Sequence, residues 1–493
     1  MQNRLLKIPS AFAPLLLTPL VLLVHGYHPF AGDAGIYVAG VRHILDPSLY
    51  PVNAAFPTAF TRMSIFPWIL AALVRLTHLS LPWMLLAAHL ASIGLFLFAC
   101  RQLASRLFPG ESARWCAVLF AAACFTLPVA GTALFIMDPY GTARSFSTPL
   151  GLLALTAILD RARFRAAVLL LFAALIHPLM GAYASIFVLL YALIAAKRAR
   201  LAVLACCTLF AAAAAVFLLT HPSANSQSYL EALDLPQHSF LFLSRWHWYE
   251  VLGLLLPLLL YGHGLRKLRP AGPKHALCLA CLCCGTTSLL VAAFFVSPAG
   301  PWTLVPIQVL RSFHLIYAAG IVLCGGILAK LLSRSRLAGV SLIALLFAGV
   351  FAAEPFAWPA CNRIEWPAST PANPWQKAFL WIRFNTPRNA VFAYSPQLVY
   401  LPEEDEQGFR AIAERDHLGD DKDAGIVAVI PQLADRWALQ RNAQLDANSM
   451  TDSQRIAALK PLGATWMLLP PQTGTDLPCP YRNSVVAVCR MDE

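Results

Sequence analysis

Long apolar runs, separated by short clusters of arginine and lysine, recur from the start of this chain to about residue 355. The clusters are Arg101/Arg106, Arg161/Arg163/Arg165, Lys197/Arg198/Arg200, Arg266/Lys267/Arg269/Lys274 and Lys330/Arg334/Arg336. Each interval between clusters fits two helices, each crossing ~30 Å of hydrocarbon at ~1.5 Å per residue. A soluble core cannot hide this much apolar surface, since 58% of the 493 residues are hydrophobic and 13% charged. The pattern imposes a polytopic α-helical membrane protein.

The net charge of +12 is therefore no nucleic-acid signature. Residues 1–355 carry 24 Lys+Arg against 9 Asp+Glu, whereas residues 356–493 carry 13 against 16. The basic excess lies in loops between spans, where it sets orientation. With Arg4 and Lys7 ahead of the first span, the N-terminus is expected in the cytoplasm. No small-x-small cleavage site follows that span, so it reads as a retained anchor. Spans are expected near 9–27, 81–100, 115–132, 147–160, 166–180, 181–196, 201–220, 249–265, 276–297, 311–330 and 337–354. About eleven spans, an odd number, place the C-terminus outside. Ser64–His78 is apolar but short and carries Arg75. It reads as an interfacial or re-entrant helix, with a twelfth span as the alternative. His177-Pro178 marks either a turn between two spans or a kink in one, because proline breaks the backbone ladder. The charge pattern prefers two spans.

After Glu354 the chain changes character. Pro374–Phe384 reads as an amphipathic helix, Ala390–Tyr394 and Thr465–Leu469 as buried strands, and Asp452–Leu459 as a helix. Residues 1–355 are thus expected to form a transmembrane domain, and 356–493 a small extracytoplasmic α/β domain. Cys206, Cys207, Cys278, Cys281, Cys283 and Cys284 sit inside apolar runs and read as small hydrophobes. Cys479 and Cys489 flank the strand-like Ser484–Val488, and an outward tail permits a disulfide between them.

This topology sorts the unusual polar residues onto the outward side. Asp33, Tyr37, Arg42, His43, Asp46 and Arg62 come first, then Asp138, Tyr140 and Arg144, then His177. His221, Tyr229, Glu231, Asp234, His238, Arg245, His247 and Glu250 follow, and Arg311 and His314 open the tenth span. Ionisable groups at span ends are costly unless paired or hydrated, so each is a functional hypothesis. Plainer readings stand beside them. Asp46 and Glu231 suit solvated loops, His221 and His238 an interface or the surface, and Trp246 and Trp248 the aromatic belt. Arg42 and Arg62 can snorkel to headgroups. Asp138 and Arg144 can pair structurally, and His177 can cap a broken helix. Asp33, just outside the first span in His28–Tyr37, is chemically the most informative, as a base or a metal ligand.

At these residues the chain resembles the GT-C superfamily, membrane glycosyltransferases that take sugar from a polyprenyl-phosphate carrier outside the cytoplasm. Gly32-Asp33-Ala34-Gly35-Ile36-Tyr37 sits where that group carries an acid in its first outward loop. Phe379–Pro387, with Trp381 and Asn385-Thr386-Pro387, resembles the lead-in to the outward domain of oligosaccharyltransferase-like proteins. It is also similar to the tail of a group of uncharacterised bacterial membrane proteins. Their Phe-Arg, Glu-Arg and Lys string is matched by Phe409-Arg410, Glu414-Arg415 and Lys422. Two departures count. Many members have paired acids where Ala34 follows Asp33, and Tyr394-Ser395-Pro396 stands where oligosaccharyltransferases carry Trp-Trp-Asp. The second departure argues against transfer to an asparagine sequon.

The resemblance implies inverting glycosyl transfer, with Asp33 and Asp138 as the catalytic acids. For such a reaction Arg144, Arg245 and Arg311 are the candidates to hold the donor phosphate, and Tyr37, His177 and His314 the candidates to complete substrate binding. A divalent cation, Mg or Mn, bridging Asp33 and Asp138 is the cofactor those residues allow. The implied partners are a polyprenyl-phosphate-linked sugar, membrane lipid and an acceptor (glycan, lipid or protein) that the sequence does not name. Nucleic acid is not among them. The implied location is the bacterial inner (plasma) membrane. Three rivals stay open: a transporter or flippase of a lipid-linked or anionic substrate, an extracytoplasmic polysaccharide polymerase or ligase, and a scaffold whose tail recruits partners.

Overall fold

The computed structural model describes residues 12–219, 226–268, 270, 272–300, 302–332 and 336–491. Arg4, Lys7, His221, Arg269 and Arg334, used above, lie outside them. Among the described residues, six helices are long and apolar enough to cross a membrane. They are Leu81–Leu107, Pro178–Ala195, Trp248–Lys267, Pro273–Phe295, Leu304–Ala329 and Leu337–Ala357. Shorter apolar helices cover Ala13–His25, Phe66–Thr77, Ala143–Leu159 and Arg200–Ala212.

Two segments depart from simple spans. The run expected to cross at 115–132 is helical only over Glu111–Ala123. Beyond it, Val129 N–H donates to the Leu134 carbonyl at 2.7 Å and Ile136 N–H to the Leu127 carbonyl at 2.9 Å, with Pro128 and Phe135 bridged. Pro128 has no N–H to extend a helix, so the chain folds back and presents residues 135–142. At His177-Pro178 the helix Arg163–Ile176 ends and the helix Pro178–Ala195 begins. His177 is extended, at φ −143° and ψ 95°, as the ring of a following proline requires.

The chain forms two compact units. The first comprises Met1–Gly26, Ala87–Pro222 and Phe240–Glu354; the second comprises Tyr27–Leu86, Ser223–Ser239 and Pro355–Glu493.

The second unit holds a five-stranded mixed sheet of order β2-β1-β3-β5-β4. Its strands are β1 (Val391–Ala393), β2 (Asp416–His417), β3 (Trp466–Leu469), β4 (Tyr481–Arg482) and β5 (Ala487–Arg490). β1 runs parallel to β2 and β3, and β5 antiparallel to β3 and β4. Side chains alternate across it, as a period of two dictates. Phe392, Tyr394, Trp466, Leu468 and Val488 pack on one face with Trp375, Phe379 and Ile382 of the helix Pro374–Asn385. Val391, Ala393, Met467, Leu469 and Cys489 pack on the other with Leu459 of the helix Asp452–Leu459. Asn373 caps the first of these helices, its side chain accepting from Trp375 and Gln376 N–H. Thr451 and Gln454 form a capping box on the second, the pattern that satisfies two orphan donors at once. Cys479 and Cys489 are disulfide-bonded.

The segment after the first span belongs to the same unit and is tied to the tail. Gly408 N–H donates to the Phe30 carbonyl at 3.0 Å. Gly35, in the helix Gly32–Leu45, meets Gly408 so closely that a Cβ on Gly408 would lie 2.7 Å from Gly35 Cα. Only a pair of glycines permits that approach. Tyr50 donates to the Arg410 carbonyl at 2.9 Å, and Val52 and Asn53 N–H donate to Asp416 at 2.8 and 2.7 Å. Arg42, weighed above as a headgroup anchor, is instead buried. Its Nε donates to the Ala411 carbonyl at 2.6 Å, and its guanidinium pairs with Glu414.

Candidate functional site

The sequence-derived residues fall into both units. In the first, the loop after Phe135 delivers Asp138 to the start of the helix Ala143–Leu159, which Thr142 and Ser145 cap reciprocally. Arg144 Nη2 donates to both oxygens of Asp138, at 3.0 and 2.8 Å, and Thr142 Oγ1 donates to Asp138 Oδ2 at 3.2 Å. Both members of the ion pair are buried, 4% and 2% exposed. His314, in the helix Phe313–Leu332, donates from Nε2 to the carbonyls of Phe135 and Ile136 at 3.0 and 2.9 Å. That ring therefore pins the loop that carries Asp138. Its Nδ1 lies 3.5 Å from Thr148 Oγ1, and Thr148 in turn donates to the Arg144 carbonyl at 3.0 Å. The structure thus gathers Asp138, Arg144 and His314 around one loop and one helix start.

Three further residues of that set lie in the first unit. His177 Nδ1 accepts from Met180 N–H at 3.4 Å and so caps the helix Pro178–Ala195. The Arg311 guanidinium lies over Phe240 at 5.1 Å from the ring centroid, and that of Arg245 over Phe242 at 4.9 Å. Tyr183 donates to the Ile307 carbonyl, anchoring the stretch that leads to Arg311.

Asp33 and Tyr37 belong to the second unit. Asp33 is half-buried in the first turn of the helix Gly32–Leu45, where the helix dipole favours a carboxylate. Tyr37 is buried, stacked on Phe60 with centroids 5.2 Å apart and edge-on to Phe66 at 5.6 Å. His238, expected at an interface or the surface, is buried, with Nδ1 donating to the Ala232 carbonyl at 2.5 Å. Glu414 pairs with Arg42 and Arg383, and Arg415 donates to the carbonyls of Arg383 and Thr386, so the Glu-Arg pair of the tail is structural.

The same unit contains a polar cluster that the sequence did not announce. Arg410 holds Asp423 through both Nη atoms, at 2.8 to 3.0 Å, and lies 3.5 Å from Asp416. Burial pulls that guanidinium down, yet Asp423 and Asp416 hold it above the usual arginine range. Asp420 accepts from Asp423 N–H at 2.8 Å and from the Tyr394 hydroxyl at 3.2 Å. Burial, reinforced by the Asp423 charge, pushes its carboxyl up to about 7. Burial likewise holds Glu404 well above the ordinary carboxylate range and His417 well below the ordinary histidine range, so that ring is neutral. In the sequence, Arg410 and Lys422 stood only in the tail string, and the run Asp420-Asp421-Lys422-Asp423 has the composition of a solvated turn.

Among the described residues, two groups of three metal-type side chains have ligand atoms within 4.8 Å of one another: His28/Cys361/Glu365 and His417/Asp420/Asp423. Neither includes Asp33 or Asp138. In the first group the Cys361 thiol is pushed up by burial and by Glu365 and Asp405, which opposes the thiolate a metal needs.

No protein-family model matches this chain, and no curated protein sequence matches it. Its structure is similar to that of the archaeal oligosaccharyltransferase AglB from Archaeoglobus fulgidus, solved in complex with an inhibitory peptide and a dolichol-phosphate. The TM-score is 0.52 at 11% sequence identity, over 94% of this chain and 69% of that one. The likeness is one of fold alone.

Proposed function

We propose that this chain is a membrane glycosyltransferase that moves a sugar from a polyprenyl-phosphate-linked donor to an acceptor hydroxyl on the extracytoplasmic face. The observation that carries the reading is the fold shared along 94% of the chain with an enzyme whose structure holds a dolichol-phosphate. Asp33 takes the proton of the acceptor hydroxyl. The freed oxygen attacks the anomeric carbon opposite the phosphate, the sugar–phosphate bond breaks, and the lipid phosphate leaves with the electron pair. Configuration at that carbon is inverted. The leaving group is already a stabilised anion, so the reaction needs fixed cations more than a strong acid.

Arg144 is the leading phosphate group, and Asp138 and His314 act as positioning residues that fix it. Arg311 and Arg245 supply further positive charge, His177 shapes the turn between two helices, and Tyr37 supports the helix of Asp33. In this reading residues 1–355 form a multi-span transmembrane domain and 356–493 lie outside a bacterial inner membrane, with the N-terminus in the cytoplasm.

The test is turnover of polyprenyl-phosphate sugars by purified protein, wild type against Asp33→Asn, with and without Mg or Mn. Asparagine keeps the shape but cannot take the proton. A drop of about 10²–10⁴-fold is expected, the usual worth of a positioned base. Equal turnover in both proteins would remove Asp33 from the mechanism, and absence of turnover across a donor panel would favour a transporter or scaffold.

A further inference from the structure

A cavity of about 50 Å³ lies wholly within the second unit, lined by the helix Gly32–Leu45 and by residues between Tyr394 and Ile426. His417, Asp420 and Asp423 line it and are all buried. One ligand-type atom of each lies within 4.8 Å of the others. His417 Nδ1 donates to the Leu418 carbonyl at 2.6 Å, so its proton sits there. The Nε2 lone pair is left facing Asp420 Oδ2, 3.9 Å away. A histidine anchored through one nitrogen to a carbonyl, with the other left basic, is the usual posture of a metal ligand. The two acids are held in place as well, Asp420 by Tyr394 and Asp423 by Arg410.

The charge is also incomplete. Arg410 serves Asp423 and Asp416, and Arg441 serves Asp421 at 2.6 Å. Among the described residues, no arginine or lysine forms an ion pair with Asp420 or Glu404. Independently of the triad, Glu404 and Gln407 line the same cavity, 1% and 4% exposed, and the Oε1 atom of each has no hydrogen-bond partner. Buried acceptors without donors are costly to leave. Water bound to a cation is a strong donor, so these two orphan acceptors are what a hydrated metal ion would satisfy.

We propose that this cavity is a divalent metal site, with His417 Nε2 and one oxygen each of Asp420 and Asp423 as ligands. Glu404 and Gln407 accept from water on the metal. One imidazole nitrogen with carboxylate oxygens suits Mn²⁺ or Zn²⁺ better than Mg²⁺. The ion would tie residues 404–407 and 420–423 to strand β2, and the site stands whether or not the chain transfers a sugar.

Untagged full-length protein in detergent is stripped with chelator, desalted, and exposed to Mn²⁺ or Zn²⁺. Bound metal is counted by mass spectrometry, and the unfolding midpoint is recorded. One equivalent per chain is expected, with a midpoint rise of about 5 °C. Asp420→Asn loses the equivalent, Glu404→Gln weakens it at least tenfold, and Glu365→Gln, in the other cluster, keeps it. Should Asp420→Asn fail to fold, stripping and refilling wild type still decides. No bound equivalent and no midpoint shift with either ion overturns the proposal. So does full binding in folded Asp420→Asn, or binding lost in Glu365→Gln.

Discussion

Asp138 and Arg144 show how much one buried pair can constrain. Each ion loses its hydration on folding, and the attraction between them repays that loss only while both are present. Replacing Arg144 by alanine takes the guanidinium away from a carboxylate that is only 2% exposed. Arg144→Ala should therefore destabilise the protein by about 3–5 kcal/mol, while Asp138→Ala/Arg144→Ala together should cost less than the two single changes summed. Denaturant titration of the purified protein in detergent measures both. Additive losses would mean that the pair is solvated in the native state. At this scale the sequence was informative where spacing and charge coincide, as in Asp138-Pro-Tyr-Gly-Thr-Ala-Arg144. It was silent where burial decides. Asp420 to Asp423 have the composition of a surface turn, and only the packing of Tyr394, Arg410 and Trp437 around them turns solvated acids into buried ones.

Among elements, those with their own capping or alternation were legible. Asp452–Leu459 carries its capping box in Thr451-x-x-Gln454, and Pro374–Asn385 its Asn373 cap and its apolar face. Strands β1 and β3 appear as short buried runs in the sequence. Strand β2 is two residues long and gains its identity only from pairing with β1. The apolar run at 115–132 misled for a physical reason, since hydropathy does not register that Pro128 and the turn after it close a loop. The contact between Gly35 and Gly408 was invisible for another reason, because it joins positions far apart in the chain. A Cβ on Gly408 would meet Gly35 Cα at 2.7 Å and the Phe30 carbonyl oxygen at 3.4 Å. The nearer atom is backbone and cannot swing aside. Gly408→Ala should cost about 1–3 kcal/mol, and Gly35→Ala on top of it should add little, because the first substitution has already separated the segments. Thermal unfolding of the single and double variants tests this, and a neutral Gly408→Ala would mean the approach relaxes freely.

At the scale of the whole molecule, the second unit is assembled from three stretches of chain, Tyr27–Leu86, Ser223–Ser239 and Pro355–Glu493. A sequence read from one end to the other divides at the change in composition near residue 355, since hydropathy records what each segment is and not what it packs against. The interactions make the dependence specific. Arg410 and Asp416 are bonded by Tyr50, Val52 and Asn53, the Asp421 carbonyl accepts from Gln237 Nε2 at 2.9 Å, and the Ala428 carbonyl accepts from Tyr229 at 3.3 Å. The sheet core, by contrast, draws on Trp375, Phe392, Trp466 and Val488 from the tail itself and is closed by the Cys479–Cys489 disulfide. A fragment of residues 356–493 should therefore be split in its stability. Strands β3 and β5 and the helix Pro374–Asn385 should keep slow amide exchange. Residues 409–428 should exchange at least tenfold faster than in the full chain, because local stability follows the contacts that remain. Hydrogen exchange on the fragment and on the full chain in detergent measures the difference directly. Equal protection over 409–428 in both would show that the tail organises its own buried acids, and that the segments from 27–86 and 223–239 merely rest against a finished domain.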